Sequence, residues 1–129
     1  MSLEASVRAF TAESHVLAEV RKFVATEADR LTFSTFASDL QLAVTEACAN
    51  AILHSGTEEI RVTITSANAC IEIKVEDDGI YQRTLPVPEL DGQGHRGLHL
   101  MAAMVDDFSL RRGTEQELGT TVRLVKCKR

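Results

Sequence analysis

Hydrophobic positions along the chain follow two different periods, and each period predicts a different kind of element. From Glu13 to Ala28 apolar residues recur three or four positions apart, and the same spacing returns from Phe36 to His54. This spacing is typical of amphipathic helices. Ser55 and Gly56 follow the second segment and predict its end. Two long helices are therefore expected in the first half of the chain.

Strand patterns account for most of the remaining residues. The segments Ile60 to Thr65 and Ile71 to Glu76 alternate apolar and polar side chains, with a turn predicted at Ala67-Asn68. The other predicted strands are Ala5 to Phe10, Phe108 to Leu110 and Thr120 to Leu124, the last two flanking the segment Gly113 to Gly119.

Between the third and fourth predicted strands in chain order lies a segment without a clear period. Gln82 to Gln93 contains two prolines and about twelve residues, a length typical of lids and binding loops. Leu98 to Met104 is predicted to form a short helix. No internal repeat, low-complexity tract or linker divides the 129 residues, so a single domain is expected.

Strands with one apolar face and two long helices predict an α+β fold. The expected architecture is a two-layer α/β sandwich, in which helices cover one face of a mixed, mostly antiparallel sheet. Alternation places Asp77 on the apolar face of its strand, and it places Thr120 on the face of Val122. Because a buried carboxylate without partners is costly, these inward polar side chains predict a pocket at the strand ends.

Composition and charge narrow the class of protein. The formal net charge is -5 and the basic residues are scattered, which argues against a nucleic-acid partner. No apolar run reaches the roughly 18 to 20 residues of a membrane span, and no leader pattern is present, so a soluble protein without a membrane partner is expected. Cys48, Cys70 and Cys127 are odd in number and widely spaced, which favours neither a disulfide nor a metal site and favours a reducing cytoplasm.

Candidate chemistry is concentrated in short motifs. Glu46 and Asn50 lie one helical turn apart and share a face. The strand-ending Asp77 precedes Asp78 and Gly79, and a carboxylate there can accept the amino proton of a base. Spacing alone favours an exposed Glu and Asn on the helix. For Asp77 a turn-capping role is an equal alternative.

A glycine-rich segment and a final Gly-Thr pair complete the set of motifs. Glycines that open a helix can admit phosphates, because the free N–H groups of the helix attract anions. An ordinary hinge or helix cap is the alternative. The motifs are Glu46 to Asn50 followed by His54, Asp77 to Gly79, Gly92 to Leu98, and Gly119-Thr120.

In their order and chemistry these motifs resemble those of the GHKL (Bergerat-fold) ATPases, also described as HATPase_c-like. Within that superfamily the chain is similar to the small stand-alone anti-sigma factor serine/threonine-protein kinases. The resemblance implies that ATP and Mg²⁺ are bound. It implies that Glu46 is the general base for a seryl hydroxyl, and that Asn50 contacts the Mg²⁺ that bridges the phosphates.

For the nucleotide itself, the resemblance implies that Asp77 accepts from the adenine amine, with help from Gly79 and Thr120. Guanine would present a repelling carbonyl oxygen at that place. Arg96 would reach the terminal phosphate. The lid residues implied to hold the phosphates are Gly92, Gly94, Arg96, Gly97 and Leu98.

Some positions depart from the family's pattern or fall outside it. Tyr81 occupies the second glycine position of D-x-G-x-G, so the loop must bend differently or stack the ring on the base. His54 is interpreted as a cation at the C-terminal end of a helix. His95 and His99 are four residues apart, but without a third ligand they do not predict a zinc site.

The resemblance implies an anti-sigma factor that sequesters a sigma factor and phosphorylates a serine of an anti-anti-sigma protein of the STAS type. A homodimer is also implied. One alternative is a catalytically inactive binding module, which Tyr81 favours. A less favoured alternative is a detached histidine kinase ATPase domain, because no long coiled coil carries a phosphoacceptor histidine and His15 is predicted to be a surface residue.

Overall fold

The computed structural model describes residues 4–54, 56–79 and 101–128, and it places two long helices and five strands there. Residues 101–104 are also helical, in agreement with the described part of the predicted helix Leu98 to Met104. A single turn of 3-10 helix precedes each of the two long helices. In chain order the elements are β1 (Glu4–Thr11), α1 (Leu17–Arg30), α2 (Ala37–His54), β2 (Glu59–Ala67), β3 (Cys70–Asp77), β4 (Asp107–Arg111) and β5 (Thr121–Cys127).

The five strands form one sheet in the order β1-β2-β3-β5-β4, and each neighbouring pair is antiparallel. This confirms the predicted α+β fold. Asn68 and Ala69 form the turn between β2 and β3 with φ angles of 54° and 65°, the left-handed backbone of a tight hairpin turn. The turn therefore lies one residue beyond the predicted Ala67-Asn68.

The two faces of the sheet differ in polarity, as the alternation predicted. One face packs against α1 and α2, while the other carries ion pairs such as Arg61 with Glu76 and Arg123 with Asp107. Burial of apolar area between the layers is the main stabilising contribution to such a fold. The fully buried core includes Val20, Val24, Leu40, Val44, Ile60, Val62, Ile64, Ile71, Ile73 and Leu124.

The first helix begins later than the apolar spacing predicted. Glu13 has extended backbone angles, and Ser14–Val16 form the 3-10 turn before α1 starts at Leu17. Val16 is buried although it precedes the α-helix. Its position in the apolar pattern therefore could not distinguish a 3-10 turn from a first helical turn.

The cysteines contradict the prediction made from their number. Cys70 and Cys127 lie opposite each other in the β3–β5 register and form a disulfide, with their Cα atoms 4.0 Å apart. The third, Cys48, is buried in α2, and burial raises the pKa of its thiol to about 12. The prediction of no disulfide was wrong, because a count of cysteines does not show which strands become neighbours. Cysteine usage therefore no longer argues for a reducing compartment.

In the parts of the chain that the structure describes, neither helix combines the length and the apolar character needed to cross a membrane.

Candidate functional site

Asp77 is the last residue of β3 and is buried between the sheet and the helices. It is 6% exposed, and it shares its face with the buried residues Ile71, Ile73 and Val75. The prediction that this carboxylate points inward is therefore confirmed. A charge in this position needs nearby donors, because burial disfavours an unpartnered carboxylate.

Backbone amides supply those donors. Oδ1 of Asp77 accepts from the N–H of Gly79 at 2.8 Å and from the N–H of Thr120 at 3.3 Å. The N–H of Asp77 donates to the Thr120 carbonyl oxygen at 3.1 Å. Both hydrogen bonds that described residues donate to this carboxylate go to Oδ1. Its Oδ2 atom is thus the oxygen that can accept from a ligand.

Thr120 is the second buried polar residue at this end of the sheet. It is 5% exposed, and its Oγ1 accepts from the N–H of Gly113 at 2.9 Å. A hydroxyl has one proton to donate and two lone pairs that accept. Because Gly113 donates to one lone pair, the proton of the Thr120 hydroxyl remains available to another acceptor. The site therefore combines an acceptor on Asp77 with a donor on Thr120.

The segment 113–119 packs tightly on the turn that follows β3. A Cβ on Gly113 would lie 2.4 Å from the carbonyl oxygen of Gly79. Gly119 has a φ of 99°, and its N–H donates to that same carbonyl oxygen at 3.0 Å. A side chain at position 113 would therefore clash with the backbone of the turn after β3. This role of Gly113 could not be predicted from the sequence, since a glycine in a polar loop predicts only a turn.

Thr57 connects the segment after α2 to the same turn. Its Oγ1 donates to the Glu59 carbonyl oxygen at 2.8 Å and accepts from the N–H of Asp78 at 3.4 Å. This contact was also missed from the sequence, because it depends on β2 and β3 lying side by side. Thr57 therefore helps to hold the backbone immediately after Asp77.

Glu46 and Asn50 lie on α2, which confirms that they share a helical face. Both are half-buried and flank the fully buried side of the helix that contains Ala43 and Ala47. Neither makes a side-chain hydrogen bond or ion pair with another residue that the structure describes. Their side chains are thus uncommitted within this part of the chain, whereas the Asp77 carboxylate is held in place.

The remaining predicted site residues lie outside the described residues. They include the whole glycine-rich segment and the position that departs from the family's pattern. Among the residues that are described, no group of three or more His, Cys, Asp and Glu side chains could hold a metal ion. The predictions outside the described residues concern Tyr81, Gly92, Gly94, His95, Arg96, Gly97, Leu98 and His99.

Comparison with known proteins gives a family and a fold. The family model for the histidine kinase-like ATPase domain matches residues 10–126. A histidine kinase domain from the blue-light activated histidine kinase of Erythrobacter litoralis EL346 superposes with a TM-score of 0.55 at 16% identity, over 92% of this chain and 61% of that chain. The Acinetobacter baumannii histidine kinase AdeS superposes with a TM-score of 0.54 at 10% identity, over 95% of this chain and 67% of that chain. Curated proteins give no match.

Proposed function

We propose that this chain, which belongs to the family of histidine kinase-like ATPase domains, is an anti-sigma factor with ATP-dependent protein serine kinase activity. The observation that carries the proposal is the buried carboxylate of Asp77, fixed through Oδ1 by two backbone amides. Such an arrangement costs free energy in an empty pocket and suits a ligand that donates to the second oxygen. The likeness to solved structures supports the fold, and the family supports ATP as the ligand.

Donor and acceptor positions favour adenine over guanine. The exocyclic amine of adenine can donate to Oδ2 of Asp77, whereas guanine would place a carbonyl oxygen against the carboxylate. The Thr120 hydroxyl can donate to an acceptor atom of the base or to a water bound to it. Gly79 lets the backbone approach without a side chain in the way. These groups support ATP over GTP as the proposed ligand.

Glu46 is the proposed general base. Its carboxylate would take the proton of a seryl hydroxyl as the hydroxyl oxygen attacks the terminal phosphorus of ATP, and ADP would leave. Asn50, one turn further along α2, offers an amide oxygen of the kind that Mg²⁺ binds. Mg²⁺ bound with ATP would neutralise phosphate charge. The lid residues of the glycine-rich segment are proposed to hold the phosphates.

The proposed partners follow from the resemblance of the motifs. A sigma factor would be sequestered in one nucleotide state, and a STAS-type anti-anti-sigma protein would be phosphorylated on serine in the other. We propose that the protein acts in the cytoplasm, where sigma factors act, and as a homodimer. Neither nucleic acid nor a membrane is proposed as a direct partner.

Glu46→Gln tests the catalytic assignment. We expect ATP binding to remain within about twofold of wild type and phosphoryl transfer to fall by roughly 10²- to 10⁴-fold. Calorimetric titration with Mg·ATP measures binding. Transfer of acid-stable label from ATP to a STAS-type protein, recovered by pull-down from the native cytoplasm, measures catalysis.

Glu19→Gln is the matched control, because Glu19 is a half-exposed helical residue that pairs with Arg8 on the surface. It should leave both quantities unchanged. Transfer at the wild-type rate by Glu46→Gln would show that another group is the base. Wild-type protein that gives no calorimetric signal at millimolar Mg·ATP would leave only a binding module that catalyses nothing.

The two solved structures named above are histidine kinases, and this favours a second candidate, an ATPase domain that serves a phosphoacceptor histidine. His15 is exposed beside Glu13, with Nδ1 3.2 Å from the carboxylate. Incubation of the protein by itself with labelled ATP separates the candidates. Acid-labile label on His15 would support an ATPase domain that serves a phosphoacceptor histidine, and it would contradict the proposed serine kinase activity.

A further inference from the structure

We infer that Gly113 is a positioning residue of the nucleotide pocket, which keeps the Thr120 hydroxyl oriented as a donor and lets the segment 113–119 close onto Gly79. Gly113 does not itself belong to any of the motifs that resemble the family. The inference rests on the proposed ATP-binding function, but its first test needs no nucleotide.

The first step of the argument is the direction of one hydrogen bond. The N–H of Gly113 can only donate, so Oγ1 of Thr120 must accept in the 2.9 Å contact between them. This contact is buried and connects residues seven positions apart. Without it the hydroxyl could rotate freely. Gly113 thereby restricts the orientation of the Thr120 hydroxyl and leaves its proton free to donate to the base.

The second step is steric. A Cβ on Gly113 would lie 2.4 Å from the carbonyl oxygen of Gly79 and 2.8 Å from the amide nitrogen of Gly119. Both atoms belong to the backbone, so neither can rotate away as the end of a side chain would. A methyl group at this position must push the segment away from the turn after β3, which places the N–H···O bond between Gly119 and Gly79 at risk.

The third step connects this packing to the carboxylate. The donors to Oδ1 of Asp77 are the amides of Gly79 and Thr120. Gly113 packs against the first of these residues and donates to the second. A displacement of Gly113 would therefore shift both amide donors to Asp77, although Gly113 itself is not proposed to contact the ligand.

The nucleotide-free test measures hydrogen exchange of the Gly113 amide by NMR. Thr120→Val keeps the shape of the side chain and removes the acceptor, and we expect exchange to become at least about tenfold faster. Thr120→Ser keeps a hydroxyl and should retain the protection. Unchanged protection in Thr120→Val would overturn the inferred hydrogen bond.

The nucleotide test compares Gly113→Ala with Thr114→Ala. Thr114 belongs to the same segment, where its Oγ1 accepts from the N–H of Glu117 at 3.0 Å, outside the pocket's hydrogen bonds. We expect the Kd for ATP to rise by roughly 10- to 100-fold in Gly113→Ala, and by no more than about twofold in Thr114→Ala. Thermal unfolding of both variants establishes that they are folded.

The ratio of the Kd values for GTP and ATP separates positioning from a general structural role. If Gly113 orients the groups that distinguish the bases, the ratio falls in Gly113→Ala and in Thr120→Val, whereas a structural defect weakens both nucleotides equally. An unchanged ratio overturns the inference, and Thr120→Val decides the matter should Gly113→Ala not fold. Wild-type protein that binds neither nucleotide overturns the proposed function, and hydrogen exchange then tests the Gly113–Thr120 contact separately.

Discussion

The strand pair β3–β5 is closed differently at its two ends. At one end Cys70 and Cys127 are joined covalently, and at the other Asp77 and Thr120 are joined by hydrogen bonds. At the covalent end, the N–H of Lys128 also donates a hydrogen bond of 2.9 Å to the Ala69 carbonyl oxygen. The opposite end contains a buried carboxylate, which tends to cost free energy. The covalent bond and the proposed ligand-binding groups thus lie at opposite ends of the same two strands.

Aromatic contacts strengthen the covalent end further. The ammonium nitrogens of Lys126 and Lys128 lie 5.2 Å and 4.6 Å from the ring centroids of Phe36 and Phe33. Both rings belong to the connection between α1 and α2, so the end of β5 contacts the helical layer. Cation–π contacts of this kind contribute about 0.5–1 kcal/mol each at exposed sites. This end of the pair therefore adds contacts between the sheet and the helical layer.

The largest expected effect comes from breaking the covalent end. Replacing both cysteines, Cys70→Ser with Cys127→Ser, should lower the free energy of unfolding by about 4 kcal/mol, because the bond closes a long loop in the unfolded chain. The cysteines are 57 residues apart. Urea denaturation of the double variant measures this, with dithiothreitol-treated wild type as the control. The Kd for ATP should stay within about twofold, and an unchanged denaturation midpoint would contradict the prediction.

An intermediate effect is expected at the pocket end. Asp77→Asn preserves shape and an acceptor oxygen for the two backbone amides, but it places an NH₂ group against the adenine amine. We expect the Kd for ATP to rise by roughly 10- to 100-fold and the free energy of unfolding to change by no more than about 1 kcal/mol. Asp78→Asn is the matched control, since Asp78 is the exposed neighbour. Equal affinity in the two variants would contradict the assigned role of Asp77.

The smallest effect is expected for a carboxylate that lies at neither end. Oε1 of Glu27 accepts from Ser6 Oγ and from the Arg30 guanidinium. Burial by itself would raise the pKa of Glu27, but these hydrogen bonds hold it below its ordinary value of 4.5. Glu27→Gln should lower the free energy of unfolding by about 1 kcal/mol at pH 7 and leave ATP binding unchanged.

The pH dependence of this difference has a defined sign. A lowered pKa in the folded state stabilises the protein above the ordinary value of 4.5, and this contribution is lost as the pH falls through the folded-state pKa. The wild type and Glu27→Gln should therefore converge in stability below about pH 4.5. A difference that grows on acidification would show that the ionised carboxylate does not stabilise the fold.

Local geometry explains what could be predicted from the sequence. Side chains alternate along a strand, so the inward direction of Asp77 and Thr120 followed from their neighbours. Glu46 and Asn50 share a face because they are four residues apart on a helix. The helices, the strand pattern and the burial of these two polar side chains were therefore accessible without coordinates.

Long-range pairing explains what could not be predicted. Cys70 meets Cys127, and Gly113 meets Gly79, only because β5 lies between β3 and β4 in the sheet. The hydrophobic pattern within a single strand or helix does not indicate the order of the strands in the sheet. Val16 illustrates a smaller limit, because a buried residue in a 3-10 turn fits the apolar spacing of the following helix.

The hydrogen bond between Asp77 and Thr120 spans 43 residues of sequence. A ligand that contacts both residues can be recognised only after β5 has docked beside β3, and contacts of such high sequence separation tend to form slowly. The nucleotide would consequently bind the native state and not the unfolded chain, and saturating ATP would raise the melting temperature by mass action. Ligand binding in this protein would thus serve as a readout of completed folding.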